Sequence, residues 1–331
     1  MKYILLSFLV LISSFSIHSK EINMDTNINV EESYYEDIFY RLYTPKNEKP
    51  IASMLIIHGM QEHSGRYEEL ALYFAEKGYI VLSYDHLGHG KTVKQKEDFG
   101  YFEKENPANA LINKAKVMTG FLNNKAENIP HFVLAHSMGS FILRSYLQDS
   151  DKDYQAVVLV GSGGKNNLAK PAKSYLGLMN RIAPRKRSAF LNTSFHKVNN
   201  RKFKNDTFNN GTNWLSLSIS NQKSFINDSL TGIPFTYNGL YGLLSVIVEG
   251  TQKNWATKIP KDFPILFVSG ADDPIGDFGK GIKKTVNNLE EHNFNNVSYK
   301  LYEHMRHEIL NEEIKEEVFD DIYNWLEKFR N

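Results

Sequence analysis

Three residue types, in three separate parts of the chain, could together carry out acyl transfer. Phe132-Val133-Leu134-Ala135-His136-Ser137-Met138-Gly139-Ser140 leads a strand-like apolar run into a serine, and small residues then open a helix near 140–148. A tight strand-to-helix turn of this kind pushes a serine hydroxyl into the open. Residues two positions away on either side must be small, because helix and strand backbones nearly touch. Gly139 meets that demand, and Ala135 adds one methyl that has to fit. Residues 264–270 form a second buried-strand pattern ending in Ala271-Asp272-Asp273-Pro274. Residues 297–302 alternate like a strand and run into Glu303-His304-Met305-Arg306-His307-Glu308. A serine hydroxyl is a weak nucleophile until an imidazole removes its proton, and a carboxylate must hold that imidazole in one tautomer. The chain offers these groups in the order Ser, Asp, His, with Asp272, Asp273 and Asp277 as neighbouring acids and His304 and His307 as neighbouring bases. A further apolar strand over 51–57 precedes His58-Gly59-Met60. The Met60 N–H, with that of Met138 just after the serine, could receive the negative oxygen of a tetrahedral intermediate. Losing one such donor costs roughly 3 kcal/mol of transition-state stabilisation.

These groups need a frame. Strand patterns fall at 34–43, 51–57, 79–84, 131–135, 156–160, 264–269 and 297–302, and helical stretches at 68–77, 107–128, 140–148, 280–293 and 311–329. Strands alternating with helices imply a mostly parallel sheet covered on both faces. Active-site residues of such sheets gather at the carboxyl ends of strands, where Met60, Ser137, Asp273 and His307 all fall. The alternation breaks over 163–258, as an inserted cap would make it.

His58-Gly59-Met60-Gln61-Glu62-His63-Ser64-Gly65-Arg66-Tyr67 resembles the signature of monoacylglycerol lipases and bacterial lysophospholipases of the α/β-hydrolase superfamily. Asp85-His86-Leu87-Gly88-His89-Gly90-Lys91-Thr92 is similar to the next motif of that group, with threonine where serine is commoner. Leu134 to Gly139, Gly270-Ala271-Asp272-Asp273-Pro274 and Arg306-His307-Glu308-Ile309-Leu310-Asn311-Glu312 complete the set, and Trp214-Leu215-Ser216 and residues 228–236 resemble its cap motifs. The resemblance spans roughly residues 33–329. It implies an α/β-hydrolase fold, a mostly parallel sheet with helices on both faces and an inserted cap. It also implies a triad of Ser137, His307 and Asp273, the acid standing three residues after Gly270. The implied substrate is a monoacyl lipid, cleaved at its ester through an acyl-enzyme without a cofactor or metal. An aminopeptidase or general carboxylesterase of the same fold is the nearer alternative, and a non-catalytic lipid-binding module the more distant one. Aminopeptidases of this kind grip an amino group with cap carboxylates, and the first half of this cap is nearly free of them.

The rest of the sequence sets limits. The 331 residues suffice for one large α/β domain with an insertion, and a net charge of +1 argues against a nucleic-acid partner. With no cysteine there is neither a disulfide nor thiolate chemistry. Gly161-Ser162-Gly163-Gly164 lacks the pattern of a phosphate loop, and no HExxH is present. Lys2 followed by an apolar segment to Ile17 reads as an export signal over 1–19, shorter than the ~20 apolar residues of a spanning helix, with an uncleaved membrane anchor as the alternative. The expected organisation is then a polar linker over 20–32, core over 33–162, cap over 163–258 and core again over 259–331. Within the cap, Lys165 to Lys204 holds eleven Lys or Arg residues and no Asp or Glu. Leu176, Leu178, Met179 and Ile182, followed by Arg185, Lys186 and Arg187, form a basic amphipathic stretch that could face an anionic membrane surface.

Overall fold

The structure is a computed structural model that describes residues 20–21, 27–148, 153–206, 208 and 211–330. The expected export segment, 1–19, lies outside the described residues. Strands β1 (Lys20–Glu21), β2 (Ile28–Tyr35), β3 (Ile38–Pro45), β4 (Ala52–Ile57), β5 (Tyr79–Tyr84), β6 (His131–His136), β7 (Ala156–Val160), β8 (Ile265–Gly270) and β9 (Val297–Tyr302) form one sheet. Its order is β1-β2-β3-β5-β4-β6-β7-β8-β9. The first three strands and the β3–β5 pair are antiparallel; every pairing from β5 through β4 to β9 is parallel. Parallel strands buried on both faces read as continuous apolar runs. Accordingly β4, β5, β7 and β8 are buried throughout.

Alternate residues of β4 feed opposite cores. Leu55 and Ile57 pack with helices α2 (Pro107–Lys125), α3 (Met138–Tyr146) and α8 (Lys280–Glu291), whereas Met54 and Ile56 pack with α1 (Glu68–Glu76) and α9 (Lys315–Leu326). The cap is helical: α4 (Ala169–Ile182), α5 (Ala189–Asn199), α6 (Ile219–Asn227) and α7 (Tyr237–Gly250). Leu240, Leu243 and Val246 of α7 join the core beside α3, so the cap is anchored by its last helix.

Three sequence expectations are corrected. The single strand expected over 34–43 is a hairpin, because Glu36 and Asp37 take φ of +45° and +65°, the left-handed pair that a two-residue turn requires. Residues 28–32 of the expected linker belong to β2. Ile28 and Val30 point inward there, while Glu32 bonds Arg41 and Lys91. The proposed membrane-facing stretch of the cap is also split. Leu176 and Met179, three residues apart on α4, turn inward to the core, and Leu178 and Ile182 remain exposed on another face. Arg185 holds Asp98 at 2.6 Å and Arg187 donates to the carbonyls of Phe99, Glu97 and Pro234, so both exposed arginines already have partners in the protein; Lys186 is exposed. Among the described residues no helix is long and apolar enough to cross a membrane.

Gly270 closes β8 against the loop that carries His307: a Cβ there would lie 2.0 Å from the Met305 carbonyl oxygen and 2.2 Å from that of Arg306. Gly120, exposed on α2, has nothing within 4 Å of the same position. Gly270→Ala should therefore lose about 2 kcal/mol or more in urea unfolding, as overpacking does. Gly120→Ala should gain about 0.5–1 kcal/mol by lowering the entropy of the unfolded chain. Equal midpoints for the two variants would contradict this packing.

Candidate active site

Strand β6 ends at His136, and the chain turns sharply into α3 at Ser137, whose φ of +50° and ψ of −118° are unusual for a residue with a side chain. Such a conformation costs about 1–3 kcal/mol and persists only where the surroundings impose it. Here the Ser137 amide is held by the Val160 carbonyl at 2.9 Å. A Cβ on Gly139 would sit 2.3 Å from the Ile57 oxygen and 2.7 Å from the His58 oxygen, so only glycine lets α3 start this close to β4.

The loops after β8 and β9 bring the other two groups to this turn. His307 Nε2 lies 2.9 Å from Ser137 Oγ, and His307 Nδ1 lies 2.9 Å from Asp273 Oδ2. Because the Asp273 carboxylate can only accept, Nδ1 carries the proton, which leaves Nε2 bare to accept from the serine. Asp273 is fully buried and is itself fixed by the Ser269 hydroxyl at 2.9 Å and the Ile275 amide at 2.8 Å. Asp272 stands aside, its amide bonded to the Met305 carbonyl, and His304 is an exposed turn residue at φ +64°. The Met138 amide is at the first position of α3, where no intrahelical acceptor exists. Met60 lines the same cavity as Ser137. This arrangement can remove a hydroxyl proton through an oriented imidazole.

Three histidines brace the Met60 loop. His58 donates from Nδ1 to the Gly59 carbonyl at 2.7 Å and accepts the His86 amide on Nε2 at 3.0 Å. His86 donates from Nε2 to the His58 carbonyl, and His89 accepts the Gln61 amide on Nε2 while donating from Nδ1 to Leu87. Each ring thus has one donor and one bare nitrogen, the neutral form. Burial pushes their pKa values down, to about 3 for His86, about 4 for His89 and well below the usual range for His58. They hold the loop as neutral rings, each with a single proton.

Behind the serine lies a charged cluster that sequence reasoning missed. Glu62 accepts from the Gly59 amide at 2.6 Å, the Tyr67 hydroxyl at 2.8 Å, His136 Nδ1 at 3.0 Å and Arg66 at 2.9 Å. Arg66 also grips both oxygens of Glu308, at 2.7 and 2.8 Å, and bonds Asn221 of α6. Burial opposes charge on Glu62, yet the hydrogen bond and charge of His136, with Arg66, hold its carboxyl well below the usual range. Burial likewise disfavours the His136 cation, and Glu62 outweighs it, raising that pKa. Glu62 and Arg66, four residues apart in one motif, were a usable signal. His136 and Glu308 stand 74 and 242 positions from their partners, beyond any local pattern.

The cap closes the site. The Trp214 ring lies 5.0 Å from that of His307, the Leu215 carbonyl accepts the Glu308 amide, and Arg306 binds the Asn213 carbonyl and, at 2.7 Å, the Asp206 carboxylate. A cavity of about 20 Å3 remains beside Ser137, walled in part by Met60, Phe195, Trp214, Leu215 and Phe225.

A sequence profile of the hydrolase family described as serine aminopeptidase, S33, matches residues 48–314. The chain belongs to this family of α/β-hydrolases. Among its relatives, a monoglyceride lipase homolog of Monkeypox virus is 26% identical over 88% of this chain and 94% of its own length. A phospholipase of Bacillus subtilis is 25% identical over 84% and 96%. An uncharacterized abhydrolase domain-containing protein of Dictyostelium discoideum is 26% identical over 91% of this chain, which spans 29% of that protein. The fold matches a thermostable carboxyl esterase of Bacillus coagulans, solved with glycerol, with a TM-score of 0.82 at 24% identity over 96% and 99% of the two chains.

The buried histidines fix the response to acid. A group whose folded pKa is depressed adds stability above its unfolded pKa and loses it as pH falls toward the folded value. For His58, His86 and His89 that loss begins near pH 6.5, the usual value, and continues toward pH 4 and below. His136 has the opposite sign, but its contribution is complete below pH 6.5. Unfolding free energy should therefore fall from pH 6.5 to 5, these three rings contributing at most about 4 kcal/mol per unit and His131 and His196, also depressed by burial, adding to the fall. A flat urea midpoint across that window would mean that these rings are charged in the fold.

Proposed function

We propose that the protein is an exported serine hydrolase that cleaves the carboxylic ester of monoacyl lipids through an acyl-enzyme. The observation that carries this reading is the buried line from Ser137 through His307 to Asp273, set on a strained strand-to-helix turn. Ser137 Oγ attacks the acyl carbonyl carbon as His307 Nε2 takes its proton. The Met60 and Met138 amides receive the oxyanion, and Asp273 steadies the imidazolium. The carbon–oxygen bond to the glycerol side then breaks, and His307 returns its proton to the departing oxygen. Water, deprotonated by the same imidazole, adds to the acyl carbon and releases the fatty acid and Ser137.

The ester reading is favoured over an aminopeptidase by the charges in the pocket. Glu62 and Glu308 both line it, but Arg66 and His136 already neutralise them, and Asp206 and Asp228 of the cap are taken by Arg306 and His63. Among the described residues no carboxylate lining the pocket is left unpaired to grip a substrate ammonium. The apolar wall suits an acyl chain, and relatives named for monoglyceride lipase and phospholipase activity agree with a lipid ester.

Ser137→Ala, His307→Ala and Asp273→Asn should each lower kcat for a monoacyl ester by on the order of 1000-fold or more while the chain stays folded. A fluorophosphonate probe should label the parent protein and not Ser137→Ala, which separates the enzyme from a lipid-binding module. Monoacylglycerols and lysophospholipids should give higher kcat/KM than diacyl lipids or aminoacyl amides; the highest value on an aminoacyl amide would overturn the substrate.

The cap also supports a lipid surface as partner. Tyr175, Leu178, Ile182, Phe190 and Val198 project from α4 and α5 into solvent beside exposed basic residues. The purified protein, shortened by export to begin near Lys20, should co-sediment with phosphatidylglycerol vesicles more than with phosphatidylcholine vesicles, and less as salt rises. An intact mass that retains Met1 would refute cleavage near Lys20, and equal sedimentation would refute the surface.

A further inference from the structure

A second cavity, of about 720 Å3, shares no wall with the one beside Ser137. Four segments meet there: the stretch after β7, the turn after α7, the loop after Asp273, and the start of α8. Lys165, Lys253, Lys280 and Lys284 line it, one or two from three of these segments, and among the described residues Asp277 is its one lining carboxylate. None of the four lysines is held by an ion pair among the described residues. Its wall also includes Arg144 of α3, which is 1% exposed.

Arg144 is the contrary of Arg66. Both guanidiniums are buried, but Arg66 lies between two carboxylates and Arg144 meets none among the described residues. Arg144 Nη1 donates to the Gly163 carbonyl at 2.8 Å and, more weakly, to Ser162 Oγ at 3.5 Å; the face of the group lies 4.5 Å from the centre of the Trp255 ring. Among the described residues its Nε has no acceptor. Burial without a counter-charge pushes its pKa down to about 9. A buried charge left unpaired is costly, and a planar guanidinium with a free edge matches two oxygens of one anion. Lysines around it add compact charge suited to phosphate. Five cations against one carboxylate fit a ligand of two or more negative charges better than a single carboxylate.

We propose that this cleft binds a phosphate group, with Arg144 at its base and Lys165, Lys253, Lys280 and Lys284 around it. The chemistry is shared by a small phosphate ester and by the headgroup of a phospholipid, and the probes tell them apart. Binding to the full chain is measured by calorimetry at constant ionic strength with inorganic phosphate and with glycerol 3-phosphate, and by co-sedimentation with phosphatidic acid vesicles against phosphatidylcholine vesicles. Saturable binding of the free phosphates assigns a soluble ligand; binding of phosphatidic acid vesicles alone assigns a headgroup. In either case Lys280→Gln combined with Lys284→Gln should weaken binding at least tenfold. Arg144→Met, which replaces the buried charge by a side chain of similar length, should weaken it further. The lysine variant alters only exposed positions, so it serves if Arg144→Met does not fold. No saturable binding by any probe, or unchanged affinity in the lysine variant, would overturn the proposal. The readout is binding, so it stands or falls apart from the reaction at Ser137.

Discussion

A guanidinium taken out of water must find its counter-charges inside the protein, and Arg66 draws three distant segments together for that reason. Its partners are Glu62, on the loop after β4; Glu308, next to His307 on the loop after β9; and Asn221, on cap helix α6. Removing one partner of such a buried set typically costs about 3–5 kcal/mol, because the remaining charge is stranded. Glu62 extends the knot to the Gly59 amide and to His136, the residue before Ser137. The loop bearing Met60, the loop bearing His307 and the turn bearing Ser137 are thus referred to one electrostatic centre. Distances of 2.9 Å on both sides of His307 depend on that common anchor as much as on the three residues themselves.

The parallel sheet supplies the coarser positioning. Strands β4, β6, β8 and β9 all end on one side, and Gly139 and Gly270 let backbones approach where a methyl would collide. The strain at Ser137 is local, but what sustains it is the continuous buried packing of β4, β6 and β7 around it.

Much of this was legible in the sequence because it is local. An apolar run entering a Ser-Met-Gly, a strand ending in Gly-Ala-Asp-Asp and a late His-Glu each announce a strand end with its candidate residue, and the shared fold places strand ends together. The acid at Asp273 rather than Asp272 followed from a family spacing, and the structure puts Asp273 on His307. Illegible parts were of two kinds. Glu62 with His136, and Arg66 with Glu308, pair across the chain, and no short-range pattern links them. The other kind was direction. Polar residues around Val30 hid the alternation of β2 beneath the composition of a linker, and α4 carries apolar groups on more than one face. Composition alone could not say that Leu176 turns inward while Leu178 turns out.

The cavity of about 20 Å3 beside Ser137 holds little more than one water. An acyl chain needs several hundred cubic ångströms, so the conformation with Trp214 on His307 does not admit one. For the lipid ester proposed above, binding therefore draws on whatever fraction of molecules has its cap displaced. The apparent dissociation constant is the intrinsic one divided by that fraction, so a cap open roughly 1% of the time weakens affinity about a hundredfold. Affinity and chemistry are thereby governed by different parts of the chain. The contacts of Arg306, Glu308 and Glu312 with residues 213–218 set how often the site can be reached, and the line from Asp273 to Ser137 sets what happens once it is.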